Sequence, residues 1–181
     1  MDARVLRERL LDSAAAGDCW AAVAIVLADG VGGPSILLIR RAEREDDPWS
    51  GQVACPGGRV DAEDRSPFEA AIRETREEVG LDLRRNAELL GLLPPRSPAN
   101  RPALRVAPFV WSLPREEPLH ASPEVVSAWY EPLPGLREND REVTVSVRGR
   151  TVRTRAFVAG ATVVWGFTYR VVADLLDRLG S

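Results

Sequence analysis

Four glutamates close together in the chain are the residues whose types and spacing could do chemistry: Glu69, Glu74, Glu77 and Glu78. On a helix, Glu74 and Glu78 lie on one face, and Glu77 neighbours Glu74 three residues away. Like charges at this spacing weaken a helix by roughly a few tenths of a kcal/mol per pair. A hard divalent cation offsets that repulsion, and Mg²⁺ uses few carboxylates, completing its octahedron with water and phosphate oxygens. The spacing is therefore suitable for a magnesium site on this helix face.

The residues around these glutamates decide between a metal site and an ordinary surface. Taken alone, the acids are typical of a solvated helix face on which Arg73 and Arg76 form surface ion pairs. However, the turn Pro56-Gly57-Gly58 precedes the helix and Gly80 follows it directly. Because glycine has no side chain, its backbone can approach a ligand closely. We therefore favour the metal site.

The acidic helix has clear start and stop signals. Ser66 is the predicted N-cap, Pro67 stands at the first helical position, and Glu69 follows the cap by three residues. Gly80 occupies the position where a C-terminal glycine ends a helix. These signals predict a helix that runs from Pro67 to Gly80.

Strands outnumber helices in the rest of the chain. Apolar periodicity predicts helices over 3–16 and 167–179. Strands are predicted at 20–28, 36–39, within 51–60, 88–93, 104–111, 125–131, 142–147, 151–157 and 163–165. The first two strands form a hairpin through Gly30 to Gly33, and the strand at 142–147 pairs with 151–157 through Arg148-Gly149-Arg150. The pattern favours an α+β sandwich formed by one domain, residues 1–181.

Composition narrows the partners of the protein. The net charge of −3 gives no electrostatic reason to expect nucleic-acid binding. The apolar stretches at 21–28 and 36–39 are too short to span a membrane, and the N-terminus lacks a signal-peptide core, so we expect a cytoplasmic protein. Cys19 and Cys55 are expected to be buried thiols rather than a disulfide. The chain contains arginine but no lysine, and the planar guanidinium suits phosphate recognition. Assembly into a homodimer is left as an open alternative.

The segment from Gly58 to Leu81 resembles the Nudix box, G-x5-E-x7-R-E-U-x-E-E-x-G-U, in which U is aliphatic. The sequence matches it in Arg73-Glu74, Glu77-Glu78, Gly80 and Leu81. The interval from Gly58 to Arg73 is one residue longer than usual, and Asp64 stands near the position of the first glutamate of the box. Thr75 occupies an aliphatic position. Both departures leave the Arg-Glu and Glu-Glu pairs intact.

The resemblance implies an α/β/α sandwich with a mixed sheet, and hydrolysis of a nucleoside diphosphate linked to another moiety. It implies that Glu74 and Glu78 are the main ligands of Mg²⁺ or Mn²⁺, with Glu77 and Gly58 in the same metal site. Arg73 is expected to orient a glutamate. The general base varies in this family, and Glu77 is the candidate chosen here.

Two further stretches are similar to the coenzyme A pyrophosphatase branch of the family. These are Leu37 to Ala42 with Gly51 to Gly58 before the box, and Val164 to Arg170 near the C-terminus. The sequence departs from the branch at Ile39, Ala42 and Cys55, and by acids at Asp46-Asp47. Candidate substrate-binding residues are Arg40, Arg41, Arg59 and Gln52, although each arginine also suits a solvated surface.

Several alternatives stay open at this point. Within the enzyme class, the substrate is coenzyme A, an ADP-ribose-like sugar nucleotide or a nucleoside triphosphate. A non-hydrolysing binding module with the same fold is a second class, although such modules usually lose glutamates that are present here. One further acid from a loop often joins the site in this family, and the candidates are Glu116, Glu117 and Glu124.

Overall fold

The structure is a computed structural model that describes residues 3–45, 47, 49–147 and 149–180. Its helices are α1 (Ala3–Arg7), α2 (Pro67–Val79), α3 (Leu83–Asn86), α4 (Leu133–Glu138) and α5 (Gly166–Gly180), with a 3₁₀ turn at Ser13–Ala16. Its strands are β1 (Ala21–Gly30), β2 (Gly33–Arg41), β3 (Val53–Ala54), β4 (Gly57–Arg59), β5 (Glu88–Leu92), β6 (Val106–Leu113), β7 (Val125–Pro132), β8 (Asp140–Val147), β9 (Arg150–Ala159) and β10 (Thr162–Trp165).

The central sheet is mixed and is organised around β1. Strand β1 pairs parallel with β6 and antiparallel with β2 and β4. The order of the sheet is β3-β2-β1-β6-β5, with β7 added to β2 and β4 added to β1. A smaller antiparallel sheet has the order β10-β9-β8. The two predicted hairpins, β1–β2 and β8–β9, are confirmed by their pairing; Arg148 in the second turn lies outside the described residues.

Alternation along β1 divides the apolar core into two layers. Ala24 and Val26 pack on the side of α2, together with Ala71 and Val79 from that helix. Ile25 and Leu27 face the opposite side of the sheet. The buried residues of α5 pack on that side: Val171, Val172, Leu175 and Leu176. Because successive strand residues point to opposite faces, one strand serves both layers. The predicted α/β/α sandwich with a mixed sheet is confirmed.

Local capping signals account for α2. Ser66 Oγ accepts a hydrogen bond from the Glu69 N–H at 3.4 Å, and Pro67 is the first helical residue. At the other end, Gly80 adopts a left-handed φ of 73°, and its N–H donates to the Arg76 carbonyl at 2.9 Å. A side chain would strain this backbone, so glycine suits the position. The predicted bounds of this helix are confirmed.

The N-terminal prediction is wrong in part. Instead of one helix over 3–16, α1 ends at Arg7 and a separate 3₁₀ turn covers Ser13–Ala16. Leu11 lies between them and exchanges backbone hydrogen bonds with Leu92 of β5. In a continuous helix, the same N–H and carbonyl groups of Leu11 would be bonded within the helix. Asp12 then caps the 3₁₀ turn by accepting from the Ala14 N–H. Tertiary pairing thus overrides the helical periodicity.

Short elements and thiols complete the description. The sequence pattern did not predict α3 or α4, because four and six residues are too few to show helical periodicity. Cys19 and Cys55 are buried free thiols, as expected. In the part of the chain that the structure describes, no helix has both the length and the apolar character needed to cross a bilayer. Asp46 and Pro48, from the acidic stretch before Trp49, lie outside the described residues.

Candidate active site beside the acidic helix

A cavity of about 300 Å³ lies between the acidic helix, the strands β1 and β4, and the start of α5. Its wall combines acids, arginines and apolar side chains. Predicted site residues that line it are Arg41, Gln52, Gly58, Arg59, Glu74 and Glu78. The structure therefore brings six of the residues singled out from sequence around one space.

Glu78 is the most deeply buried acid of this cavity, with 5% of its side chain exposed. Its Oε2 accepts a hydrogen bond from the Gly57 N–H at 2.9 Å, and its Oε1 lies 3.6 Å from Arg41 Nη1. Burial raises the pKa of Glu78 to about 7, although the Gly57 N–H and Arg41 act in the opposite direction. The charges of Glu74 and Glu124 raise the pKa further. This carboxylate carries negative charge that is not fully compensated by the protein.

Glu74 lies one helical turn before Glu78 and is also largely buried. Its Oε1 accepts from Arg73 Nη1 at 3.0 Å. Burial raises the pKa of Glu74, and the neighbouring Arg73 partly offsets this. The backbone of Gly58 approaches the carboxylate so closely that a Cβ at residue 58 would overlap Glu74 Oε1. The Pro-Gly-Gly turn is therefore fitted against this carboxylate.

Arg73 holds the outer side of the helix through a network of acceptors. Its guanidinium donates twice to Asp64, at 2.9 and 3.1 Å, and once to Glu74. It also donates to the Arg59 carbonyl at 3.1 Å, which ties the helix to β4. The hydrogen bonds from Arg73 hold the pKa of Asp64 below its usual value. Asp64 was not predicted as a site residue; its only signal was its place near the first glutamate of the box.

Three predicted residues lie outside the cavity wall: Glu77, Arg40 and Arg73. Glu77 is 59% exposed and pairs with Arg73 Nη1 at 2.9 Å, on the side of the helix next to Asp64. Arg40 lines a neighbouring groove of about 710 Å³, whose far wall comes from β8 and β10. Arg73 donates a hydrogen bond to Glu74 but does not itself line the cavity. The catalytic role assigned to Glu77 and the substrate role assigned to Arg40 stay predictions.

Among the three loop acids left open by the sequence, Glu124 lines the cavity. It directly precedes β7, and its carboxylate pairs with Arg44 Nη2 at 2.8 Å. Glu116 instead accepts from Ser35 Oγ at 2.8 Å beside the β1–β2 hairpin, and the Glu117 N–H donates to Tyr130. Of these three, Glu124 alone is placed to act on a ligand in the cavity.

Sequence reasoning missed part of the cavity wall. Asp47 lines it and binds Arg41, although the sequence marked this acid only as a departure from the family. Trp49 also lines it, with the guanidinium of Arg101 5.5 Å above its ring. Helix α5 contributes Phe167 and its neighbours Thr168 and Val171. These residues meet only through long-range packing. The sequence marked Phe167 and Thr168 through the resemblance of the Val164 to Arg170 stretch, but no spacing placed them in the site.

The donor set of the cavity suits a hard divalent cation. Glu74 and Glu78 offer carboxylate oxygens, and the pKa of each is raised by burial, so a bound cation would compensate both charges. Across 3–45, 47, 49–147 and 149–180, no three acidic, histidine or cysteine side chains form a cluster able to hold an ion by themselves. Two carboxylates with further positions left to water and phosphate are what Mg²⁺ commonly uses.

Comparison with known proteins agrees with this geometry. A family model described as NUDIX domain matches residues 20–145. A Nudix hydrolase of Cronobacter sakazakii, named NudL and itself uncharacterized, is 33% identical over 151 residues, or 82% of this chain and 77% of that protein. An uncharacterized protein of Schizosaccharomyces pombe is 41% identical over 109 residues, which span 57% of this chain and only 33% of that protein.

Solved structures share the fold at low sequence identity. The NUDIX domain of Shewanella oneidensis NrtR, solved with ADP ribose, superposes with a TM-score of 0.56 at 15% identity and covers 99% of both chains. A MutT/nudix family protein from Enterococcus faecalis gives a TM-score of 0.56 at 20% identity, covering 88% of this chain and 61% of that one. The matched segment contains the acidic helix and most of the cavity wall, and the chain therefore belongs to the Nudix family of pyrophosphate-hydrolysing enzymes.

Proposed function

We propose that the protein uses Mg²⁺ or Mn²⁺ to hydrolyse the pyrophosphate bond of a nucleoside diphosphate linked to another moiety, with coenzyme A or a derivative as the preferred substrate. The observation that carries this proposal is the pair of buried carboxylates, Glu74 and Glu78, facing a cavity beside two arginines. Glu74 and Glu78 would hold the divalent cation, which would supply polarisation of the pyrophosphate and a lowered pKa for an attacking water.

The residues of the chain divide the remaining work. Glu74 and Glu78 hold the cation, and Arg73 fixes Glu74 in its orientation through the hydrogen bond at 3.0 Å. Arg41 and Arg59 offer guanidinium groups to phosphate oxygens in the same cavity. Because Gly58 has no side chain, its backbone leaves room for the Glu74 carboxylate. Glu124 is our candidate for the additional acid.

A long substrate is favoured by the surroundings of the cavity. At about 300 Å³, the cavity lies at the lower end of the range of roughly 300–1,000 Å³ typical of ligand pockets, so a ligand of dinucleotide size would extend beyond it. The adjoining groove of about 710 Å³ shares Asp47, Gln52 and Val53 with the cavity wall. Arg40 and Arg44 line this groove and could contact a further phosphate. The similarity of residues 37–42 and 51–58 to the coenzyme A pyrophosphatase branch supports the choice of coenzyme A.

A substrate screen tests this proposal. Purified protein is incubated with coenzyme A, ADP-ribose, NADH, diadenosine polyphosphates and nucleoside triphosphates, with Mg²⁺, with Mn²⁺ and with a chelator. The products are separated and identified by mass. We expect coenzyme A to give phosphopantetheine and adenosine 3′,5′-bisphosphate only when metal is present. Preference for another compound rejects coenzyme A, while no cleavage of any compound favours the binding-module alternative.

A further inference from the structure

Asp47 is held in place by three hydrogen bonds at the edge of the cavity. Its Oδ2 accepts from Arg41 Nε at 3.1 Å and from Arg41 Nη2 at 2.9 Å. Its Oδ1 accepts from the backbone N–H of Trp49 at 2.9 Å. Only 15% of the Asp47 side chain is exposed. The carboxylate is therefore oriented by its own loop and presents one oxygen to Arg41.

Arg41 lies between two acids and is shared unequally by them. Two of its nitrogens bind Asp47, while its Nη1 is 3.6 Å from Glu78 Oε1. A direct N–H···O bond spans about 2.7–3.2 Å, so the contact with Glu78 is an ion pair without a hydrogen bond. Asp47 therefore keeps the guanidinium turned toward itself.

The division of Arg41 matters because Glu78 is a proposed metal ligand. A guanidinium in full contact with a carboxylate occupies its lone pairs in a charge-assisted fork. A divalent cation needs the same oxygens and the same negative charge. Arg41 and the cation therefore compete for Glu78, and the outcome depends on where Arg41 is held.

We infer that Asp47 is a positioning residue that restrains Arg41 from closing on Glu78 and so keeps the Glu78 carboxylate available to a divalent cation. The restrained guanidinium still lines the cavity, where it can meet a phosphate oxygen. This inference rests on the proposed function, since it assumes that Glu78 binds metal.

The substitution Asp47→Asn isolates this role. An asparagine oxygen can still accept from the Trp49 N–H, so the loop keeps its anchor. The asparagine NH₂ group cannot accept from Arg41, and the negative charge that holds the guanidinium is lost. We expect Arg41 to move the short distance to Glu78 and form direct hydrogen bonds with it. Asp47→Ala would remove the loop anchor as well and is therefore the less informative variant.

The test measures Mn²⁺ binding in the absence of substrate, by electron paramagnetic resonance of the free ion or by calorimetry. The proteins are the wild type, Asp47→Asn, Arg41→Met and the double variant. Asp174→Asn is the matched control, because Asp174 also binds two arginine nitrogens, at 2.7 and 3.1 Å, and is 16% exposed, on α5 outside the cavity wall. Thermal melting in chelator verifies that each variant is folded.

We expect Asp47→Asn to weaken Mn²⁺ binding by about tenfold. The reason is that the released guanidinium of Arg41 then pairs directly with the Glu78 carboxylate and competes with the metal ion. Arg41→Met should bind Mn²⁺ at least as tightly as the wild type. The double variant should match Arg41→Met, because the competitor is gone, and the control should match the wild type.

Two results would overturn the inference while leaving the metal site intact. In the first, Asp47→Asn binds Mn²⁺ like the wild type. In the second, Asp47→Asn weakens binding equally with and without Arg41, which would assign the loss to general disruption. Failure of the wild type itself to bind Mn²⁺ would instead overturn the proposed function together with this inference, so the two failures are distinguishable.

Discussion

The backbone of Gly58 lies directly against the carboxylate of Glu74, leaving no room for a side chain at residue 58. The obstructing atoms are the end of a flexible glutamate rather than backbone. A methyl group at residue 58 would therefore displace Glu74 at little cost to the fold. The turn before the acidic helix and the helix itself are one functional unit.

Gly58→Ala should consequently damage catalysis more than stability. Displacement of Glu74 by about an ångström is expected to lower kcat by roughly 10²-fold, since misplaced catalytic groups lose rate steeply. The melting temperature in chelator should change little. Gly135→Ala is the control, because a Cβ there meets no neighbouring atom. Normal turnover in Gly58→Ala would show that the approach to Glu74 has no catalytic importance.

Glu77 provides a test of the general base. Its carboxylate is 59% exposed and pairs with Arg73 away from the cavity wall. From this placement we expect Glu77→Gln to lower kcat by less than about tenfold, whereas loss of a general base typically costs about 10²–10⁴-fold. Single-turnover rates at saturating Mg²⁺ measure the difference. A loss in the larger range would establish Glu77 as the base chosen from sequence.

Glu124 is expected to contribute to turnover although it lies far from the acidic helix in sequence. It lines the cavity, and its charge contributes to raising the pKa of Glu78. Glu124→Gln should lower kcat/KM by about tenfold, comparable to loss of a supporting group near a metal site. Glu117→Gln is the control and should be close to wild type. Equal effects of the two substitutions would remove Glu124 from the site.

Metal affinity should depend on pH near neutrality. Burial raises the pKa of Glu78 from 4.5 in the reference state to about 7 in the fold, and its carboxylate must be ionised to bind a cation. Mn²⁺ binding should therefore weaken as the pH falls below about 7. In chelator the sign is opposite: the stability gained by protonated Glu78 is fully present below pH 4.5 and is lost as the pH rises through about 7. Binding and melting measured across this range check both trends.

The acidic helix could be predicted from sequence because its determinants are local. Ser66, Pro67 and Gly80 set its ends, and the spacing of Glu74 and Glu78 sets their common face. Both carboxylates do line one cavity. The same spacing could not separate Glu77 from Glu78, because it does not tell how the helix is rotated against the sheet.

The remaining wall of the cavity depends on long-range pairing that no local pattern encodes. Glu124 reaches the cavity because β7 pairs with β2, which places Val125 opposite Arg41. Arg40 and Arg41 are successive residues of β2, so their side chains point to opposite faces of the strand, and they line different spaces. The sequence predicted both arginines as substrate-binding residues, since only the folded sheet distinguishes them.

Glu78→Gln measures the central claim most directly, with turnover and melting determined on the same preparation. A neutral glutamine can keep the Gly57 hydrogen bond and avoids burying a charge, so the melting temperature in chelator should equal or exceed that of the wild type. The rate of cleavage of the substrate's pyrophosphate bond at saturating Mg²⁺ should fall by at least about 10²-fold, because a metal ligand is lost. A folded variant with wild-type turnover would contradict the assignment of the metal site to this helix.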